Sequence, residues 1–326
     1  MAFRLKLVPD ETKFDFFRHQ FLTFGFSVVL VIASIVATAV MGLNFGIDFR
    51  GGTTIRAESS QSIDVGAWRS ALQPLDLGDV VITEVFDPSF GPDQNVAEVR
   101  IQAQNDEGSI TPQTVDAINA ALKEVTPDVK FTATESVGPK VSGELIKTAI
   151  LSVLAATAAI LVYIWLRFEW QFAVGAVAAL VHDLVITVGI FAVAQIKFDL
   201  TIIAALLTIL GYSINDTVVV FDRLRENLVK YKTMPLREVM NISVNETLSR
   251  TVMTSGTTLI ALISLLVLGG DVIRGFVFAM TFGVVVGTYS SVFVAKNIVL
   301  MIGLNRSEKK DPAEKFFDKN TGSEAK

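Results

Sequence analysis

A few ionisable or amide residues fall inside stretches of this chain that are otherwise apolar enough to cross a bilayer: His182 with Asp183, Asn215 with Asp216, and Arg250. A charge at mid-bilayer costs at least about 2.5 kcal/mol on insertion scales, so each needs a partner or a water-filled path. A carboxylate that loads and releases an ion needs burial to shift its affinity and a nearby cation to hold that shift in check. Asp216 and Arg250 offer both, because Asp216 sits toward the cytoplasmic end of its span and Arg250 opens the next span from the same side. His182 and Asp183 sit near the middle of the preceding span. The competing readings are structural: an ion pair that fixes two helices, a capped pair at His182, or an arginine that snorkels to the phosphates.

Other chemistries are poorly supplied. Cysteine is absent and the two histidines, His19 and His182, are far apart, so neither a disulfide framework nor a metal site is expected. The chain carries no phosphate-cradling loop of the G-x-x-x-x-G-K type, so nucleotide hydrolysis is not expected either. A net charge of -5 argues against nucleic acid as a partner. No cofactor is called for. Any work the protein does must draw on an ion gradient or on a partner.

The elements that must position these residues are spans. Of 326 residues, 51% are hydrophobic and 19% charged, and the mean hydropathy is +0.51, which places the chain among membrane proteins. Stretches at 21–43, 148–166, 172–195, 200–221, 251–270 and 276–295 approach the ~20 apolar residues a spanning helix needs. Lysine and arginine concentrate on one side: the arm 1–20, Arg167, the run from Arg223 to Arg237, and Lys309 with Lys310. By the positive-inside rule both termini are therefore cytoplasmic and residues 44–143 extracytoplasmic. That segment reads β-α-β-β-α-β, with strands at 53–58, 80–86, 96–103 and 129–135 and helices at 63–75 and 112–125, the order of a small ferredoxin-like sheet. Residues 222–249 are expected to form an amphipathic helical pair lying at the cytoplasmic interface, and 306–326 to be disordered.

Helical spacing groups the polar residues. Thr201, Ala205, Thr208, Tyr212 and Asn215 recur every three or four residues along one span, and Arg250, Thr254, Thr257, Ala261 and Ser264 along the next. These two seams are expected to face one another. Gly283, Gly287 and Ser290 make a small-residue seam suited to close helix approach.

Several long motifs resemble one family. Gly46-Ile-Asp-Phe-Arg-Gly-Gly52, Glu135-Ser-Val-Gly-Pro-Lys-Val141, Arg167-Phe-Glu-Trp170, Gly211-Tyr-Ser-Ile-Asn-Asp-Thr-Val-Val-Val-Phe-Asp-Arg223, Ser249-Arg-Thr-Val-Met-Thr-Ser255 and Gly287-Thr-Tyr-Ser-Ser291 are similar to those of the SecF family of bacterial protein-export membrane subunits. The resemblance runs from Phe14 through the sixth span. It implies half of a resistance-nodulation-division transporter fold in the inner membrane, paired with SecD and associated with the SecYEG channel and YajC, that uses a proton or sodium gradient to promote release of exported, unfolded proteins. It implies no covalent chemistry. On the matching positions, Asp216 is the expected ion-carrying carboxylate and Arg250 its charge partner. From their places in the spans, Asn215 joins them as an ion-coupling candidate, and His182, Asp183, Tyr212 and Thr254 are secondary candidates for the ion path. Gly46, Asp48, Arg50, Gly51 and Gly52 belong to the base of the extracytoplasmic domain; Gly51 and Gly52 permit a turn there that Asp48 or Arg50 could satisfy. The alternatives are half of a drug or lipid exporter, for which so small a soluble domain offers little substrate pocket, and an assembly scaffold without ion coupling.

Overall fold

The computed structural model describes residues 12–88, 90–103 and 110–304. The expected disordered tail at 306–326 and most of the N-terminal arm lie outside the described residues. Among the described residues, six helices are long and apolar enough to cross a membrane: α1 (Gln20–Met41), α5 (Pro139–Arg167), α6 (Trp170–Ala194), α7 (Leu200–Lys230), α8 (Leu236–Leu268) and the last, which runs from α9 (Asp271–Ser290) through a π turn into α10 (Lys296–Ile302). Between α1 and α5 come the short α2 (Ile47–Arg50), β1 (Gly52–Ser59), α3 (Val65–Leu72), β2 (Val80–Val85), β3 (Asn95–Gln102), α4 (Pro112–Val125) and β4 (Lys130–Val137).

The sheet order is β2-β3-β1-β4, and every neighbouring pair is antiparallel. This is the ferredoxin-like arrangement that the element order anticipates. Alternation decides its faces: Ile55, Ala57, Ala97, Val99 and Ile101 meet Trp68, Leu72, Ile118 and Leu122 from the two helices, while Arg56, Glu98 and Arg100 between them take the other face. Thr111 caps α4 by accepting from the Thr114 N–H, and Pro112 sits where its missing N–H costs nothing. Asp64 does the same for α3. On the exposed side of the domain, Asp128 accepts from the hydroxyls of Ser59 and Ser60 and from the Ser60 N–H.

In the helical bundle α6, α7 and the α9 segment are the interior elements and α1, α5 and α8 the outer ones. The buried apolar residues fall into two layers. One joins Phe168, Phe172, Phe221, Leu224, Met240 and Val299; the other joins Phe191, Phe198, Ile202, Ile209, Val277 and Met280. Polar side chains occupy the level between them. Gly283 and Gly287 let α9 approach α7: a Cβ on Gly283 would stand 2.4 Å from Ile209 Cδ1, and one on Gly287 3.0 Å from Ser213 Cβ.

The segment expected to lie flat at the interface is built differently. Residues 222–230 continue α7 and 236–249 begin α8, since no glycine or proline interrupts either stretch and Pro235 supplies the only break between them. Asn227, Ser243 and Glu246 join the two extensions by hydrogen bonds. Against α8 lies the chain before α1: Asn245 accepts from the Phe14 N–H and donates to the Phe14 carbonyl, and Asn241 accepts from the Phe16 N–H.

Candidate functional site

The polar level contains two carboxylates. Asp183 on α6 is 0% exposed and fully bonded. Its Oδ1 lies 2.9 Å from His182 Nδ1, and its Oδ2 accepts from the hydroxyls of Ser213 on α7 at 2.6 Å and Ser290 on α9 at 2.7 Å. One side chain thus ties three helices together. His182 is 5% exposed; its ring stacks on Tyr289 with centroids 6.2 Å apart, and its buried Nε2 has no hydrogen-bond partner among the described residues. Tyr289 in turn donates from its hydroxyl to the Thr23 carbonyl at 2.8 Å and accepts from the Ser27 hydroxyl, so it anchors α1.

Asp216 is 3% exposed, and its partners are farther away. The Ser255 and Thr254 hydroxyls of α8 donate to it at 3.4 Å and 3.5 Å, at the outer limit of a hydrogen bond. Ser255 shares a 2.7 Å bond with Thr288 of α9. Arg250 is exposed and near enough to attract Asp216 through space, but among the described residues it is neither a hydrogen-bond nor an ion-pair partner of that carboxylate. The meeting of the two charges expected from the sequence is therefore a proximity. Thr254 and Ser255, about one turn later on α8, make the contacts to the carboxylate instead.

The two polar seams do not face one another as expected. Thr201, Thr208 and Asn215 lie exposed on α7, and so do Arg250, Thr257, Ala261 and Ser264 on α8. Ala205 is buried apart from them, and the Tyr212 hydroxyl is buried without a partner. Asn215 opens into a lateral cleft of about 510 Å³ with Ile160, Tyr163 and Gly211. The side chains that do face inward, Ser213, Asp216 and Thr217, occupy the next strip of the same helix. Neither Ser213 nor Ser255 was singled out by spacing, because a serine inside a span reads as a small packing residue until its neighbour is known. Lys296 was also missed. It is 1% exposed, donates to the Phe16 carbonyl at 3.3 Å and lies 4.0 Å from the Phe17 ring centroid.

The glycine motif after α1 forms a joint between the soluble domain and the bundle. Gly46 donates its N–H to the Phe198 carbonyl at 2.9 Å, and Asp48 accepts from the Leu200 N–H at 3.1 Å, so it caps α7 rather than satisfying its own turn. Arg50 is exposed. Gly51 and Gly52 have φ of 72° and 132°, and a Cβ on Gly52 would stand 2.3 Å from the Ile101 carbonyl oxygen, which leaves glycine as the residue that fits. Lys197 adds an ion pair to Glu98 at 3.0 Å. On the other side, Asp87 accepts from the Asp271 N–H at 2.9 Å and so caps α9.

Comparison with known proteins accords with this geometry. The family described as protein export membrane protein SecD/SecF, C-terminal, matches residues 117–305, and the SecD/SecF GG motif matches residues 36–63. Proteins named protein translocase subunit SecF are similar across nearly the whole chain. The one from Rhodobacter capsulatus is 67% identical over 97% of this chain and 97% of its own; that from Cereibacter sphaeroides is 70% identical over 95% and 96%. The crystal structure of SecDF from Thermus thermophilus, described as a translocon-associated membrane protein, superposes with a TM-score of 0.81 at 33% identity, covering 91% of this chain. SecDF in its super-membrane-facing form superposes with a TM-score of 0.67 at 33% identity, covering 99%. The chain spans 39% and 41% of those two SecDF chains.

Proposed function

The chain belongs to the SecF family of protein translocase subunits, and from that premise we propose that it pairs with SecD and uses the ion gradient to promote release of exported proteins through the SecYEG channel, with YajC as an associated subunit. It is a multi-pass membrane protein and a transport component. In this reading it resides in the bacterial inner membrane with both termini cytoplasmic and the ferredoxin-like domain in the periplasm, facing the emerging client. Asp216 carries the ion, proton or sodium, and Arg250 attracts its charge through space.

The observation that carries the proposal is a buried carboxylate with only loose hydroxyl partners. With both hydroxyl donors at the outer limit of a hydrogen bond, Asp216 keeps acceptor capacity free for an incoming ion. The exposed stripe of Thr201, Thr208, Asn215, Arg250, Thr257 and Ser264 supports the pairing with SecD, since polar groups turned toward lipid are costly and a second half-transporter would cover them. The capping of α7 and α9 by Asp48 and Asp87 supports the coupling, because a shift of the soluble domain acts directly on helices that meet at the polar level.

Asp216→Asn in membrane vesicles holding the whole translocase is expected to fold, assemble with SecD and lose gradient-dependent release of an exported protein. Unchanged release would sink the proposal.

A further inference from the structure

We propose that His182 and Asp183 form a second proton site inside the bundle, separate from Asp216, in which one proton is shared between His182 Nδ1 and Asp183 Oδ1 and exchanges through His182 Nε2. This rests on the reading of the protein as gradient-coupled and assigns a chemistry to the pair beyond it.

The geometry carries the assignment. The Nδ1 to Oδ1 contact of 2.9 Å is short enough for direct proton transfer. The other carboxylate oxygen is saturated by the hydroxyls of Ser213 and Ser290, so proton exchange is confined to the oxygen that faces histidine. The imidazole has a second nitrogen, and that atom is buried and unpartnered. A purely structural histidine pays to bury a polar atom in this way; a proton-exchanging one needs it free.

The groups facing the pair narrow the path. α1 brings no titratable residue between Gln20 and Met41, and α5 brings exposed Tyr163, with its charges confined to its first three turns and its last residue. α7 brings Tyr212 and Asp216, with its other charges beyond Phe221. α9 brings Tyr289, stacked on the imidazole, with Asp271 and Arg274 in its first turn. The π turn brings none, and Lys296 begins α10, held by Phe16 and Phe17.

Starting from neutral imidazole with its hydrogen on Nδ1 and ionised Asp183, loading forms the Nε2–H bond as the Nδ1 hydrogen passes to Oδ1. The pair ends with neutral imidazole carrying Nε2–H and a neutral carboxyl, having gained one proton. Unloading reverses both transfers. Throughout, Ser213 and Ser290 keep donating to Oδ2, but to a charged acceptor before loading and a neutral one after it. Charge-assisted bonds are the stronger, so loading loosens the junction of α6, α7 and α9. Ser213 lies one turn before Asp216 on α7, which links the charge of the pair to the setting of the ion-carrying carboxylate.

The test uses the full chain in vesicles with its translocase partners. In His182→Asn the amide nitrogen can still donate to Asp183, so a structural role is preserved while proton transfer is lost. The variant is expected to accumulate and assemble normally, to lose about tenfold or more of the gradient-stimulated release, and to flatten the pH dependence of what remains. Release within about twofold of the parent with the same pH profile overturns the proposal. Infrared spectroscopy of the parent and Asp183→Asn supplies a readout independent of transport and of the variant's folding. A protonated-carboxyl band that grows on acidification and is absent from Asp183→Asn supports the site, and its absence from the parent overturns it. Asp216→Asn run alongside separates the two claims, since retained release there fails the gradient reading, whereas lost release there with normal His182→Asn fails this inference alone.

Discussion

Asp183 and Asp216 are buried to nearly the same degree in the same polar level, yet they are held in opposite ways. Asp183 takes three bonds of 2.9 Å or less from side chains on three helices. Asp216 takes two at 3.4 Å and 3.5 Å, both from α8, with an exposed arginine nearby. Burial alone therefore says little about what a carboxylate in a membrane does. What separates them is the partners of their oxygens: one carboxylate joins three helices through short bonds, and the other keeps room for an incoming ion.

The largest test of this contrast is on transport. Asp216→Asn is expected to remove gradient-dependent release by a factor of about 100 or more, in the range seen when a proton-transferring group is lost, while leaving the amount of assembled complex unchanged. If assembly falls as well, Asp216 is structural and the contrast collapses.

Stability should run the other way. Asp183→Ala strands the Ser213 and Ser290 hydroxyls and His182 Nδ1, and is expected to cost about 3–5 kcal/mol in unfolding of the bundle from detergent. Asp216→Ala strands only weak donors with other partners, Thr254 with carbonyls of its own helix and Ser255 with Thr288 of α9, and should cost about 1–2 kcal/mol. Equal losses would break the comparison.

A smaller effect sharpens it. Gly283→Ala presses a methyl onto Ile209 and should cost about 1–3 kcal/mol by overpacking. Gly287→Ala meets Ser213 Cβ at 3.0 Å, Ser213 Oγ at 3.2 Å and Asp183 Oδ2 at 3.5 Å, wider than the contacts at Gly283, so its stability cost should be the lesser while its effect on release is the greater. Measured unfolding and vesicle release on the two variants should rank in opposite orders.

The smallest effect serves as a control outside the bundle. Hydrogen bonds from Ser60, chiefly its hydroxyl, lower the pKa of Asp128 from 3.8 to about 2. A carboxyl lowered on folding stabilises the domain above its ordinary pKa and loses that contribution as pH falls through the folded value. Protection of β1 and β4 amides relative to their intrinsic exchange rates should therefore fall slightly as pH drops from about 4 toward 2, and Asp128→Ala should remove that slope.

Much of this was legible in the chain. Six spans follow from apolar length, and the β-α-β-β-α-β domain follows from alternation and from caps such as Thr111-Pro112, which mark α4 at both sequence and structure. The carboxylates were legible as misplaced charges. Their ranking was not. Thr201, Thr208 and Asn215 share a helical face, but spacing cannot say whether that face turns inward, and here it turns outward. Ser213 carries no signal of its own and Ser290 reads only as part of a packing seam; both acquire a bonding role by meeting Asp183.

The amino-acid order by itself determined the membrane class, the number of spans, the order of the sheet's elements and the candidate charges, because hydropathy, period and capping are local along the chain. Only the tertiary structure decided that Asp183 is bonded to side chains of three helices, that Asp216 has only long hydroxyl contacts from α8 and among the described residues is not bonded to Arg250, and that Asp48 accepts from the first N–H of α7. Those depend on how each helix is rotated about its axis and how closely it approaches its neighbours, and that setting comes from packing such as Gly283 against Ile209, between residues more than 70 positions apart.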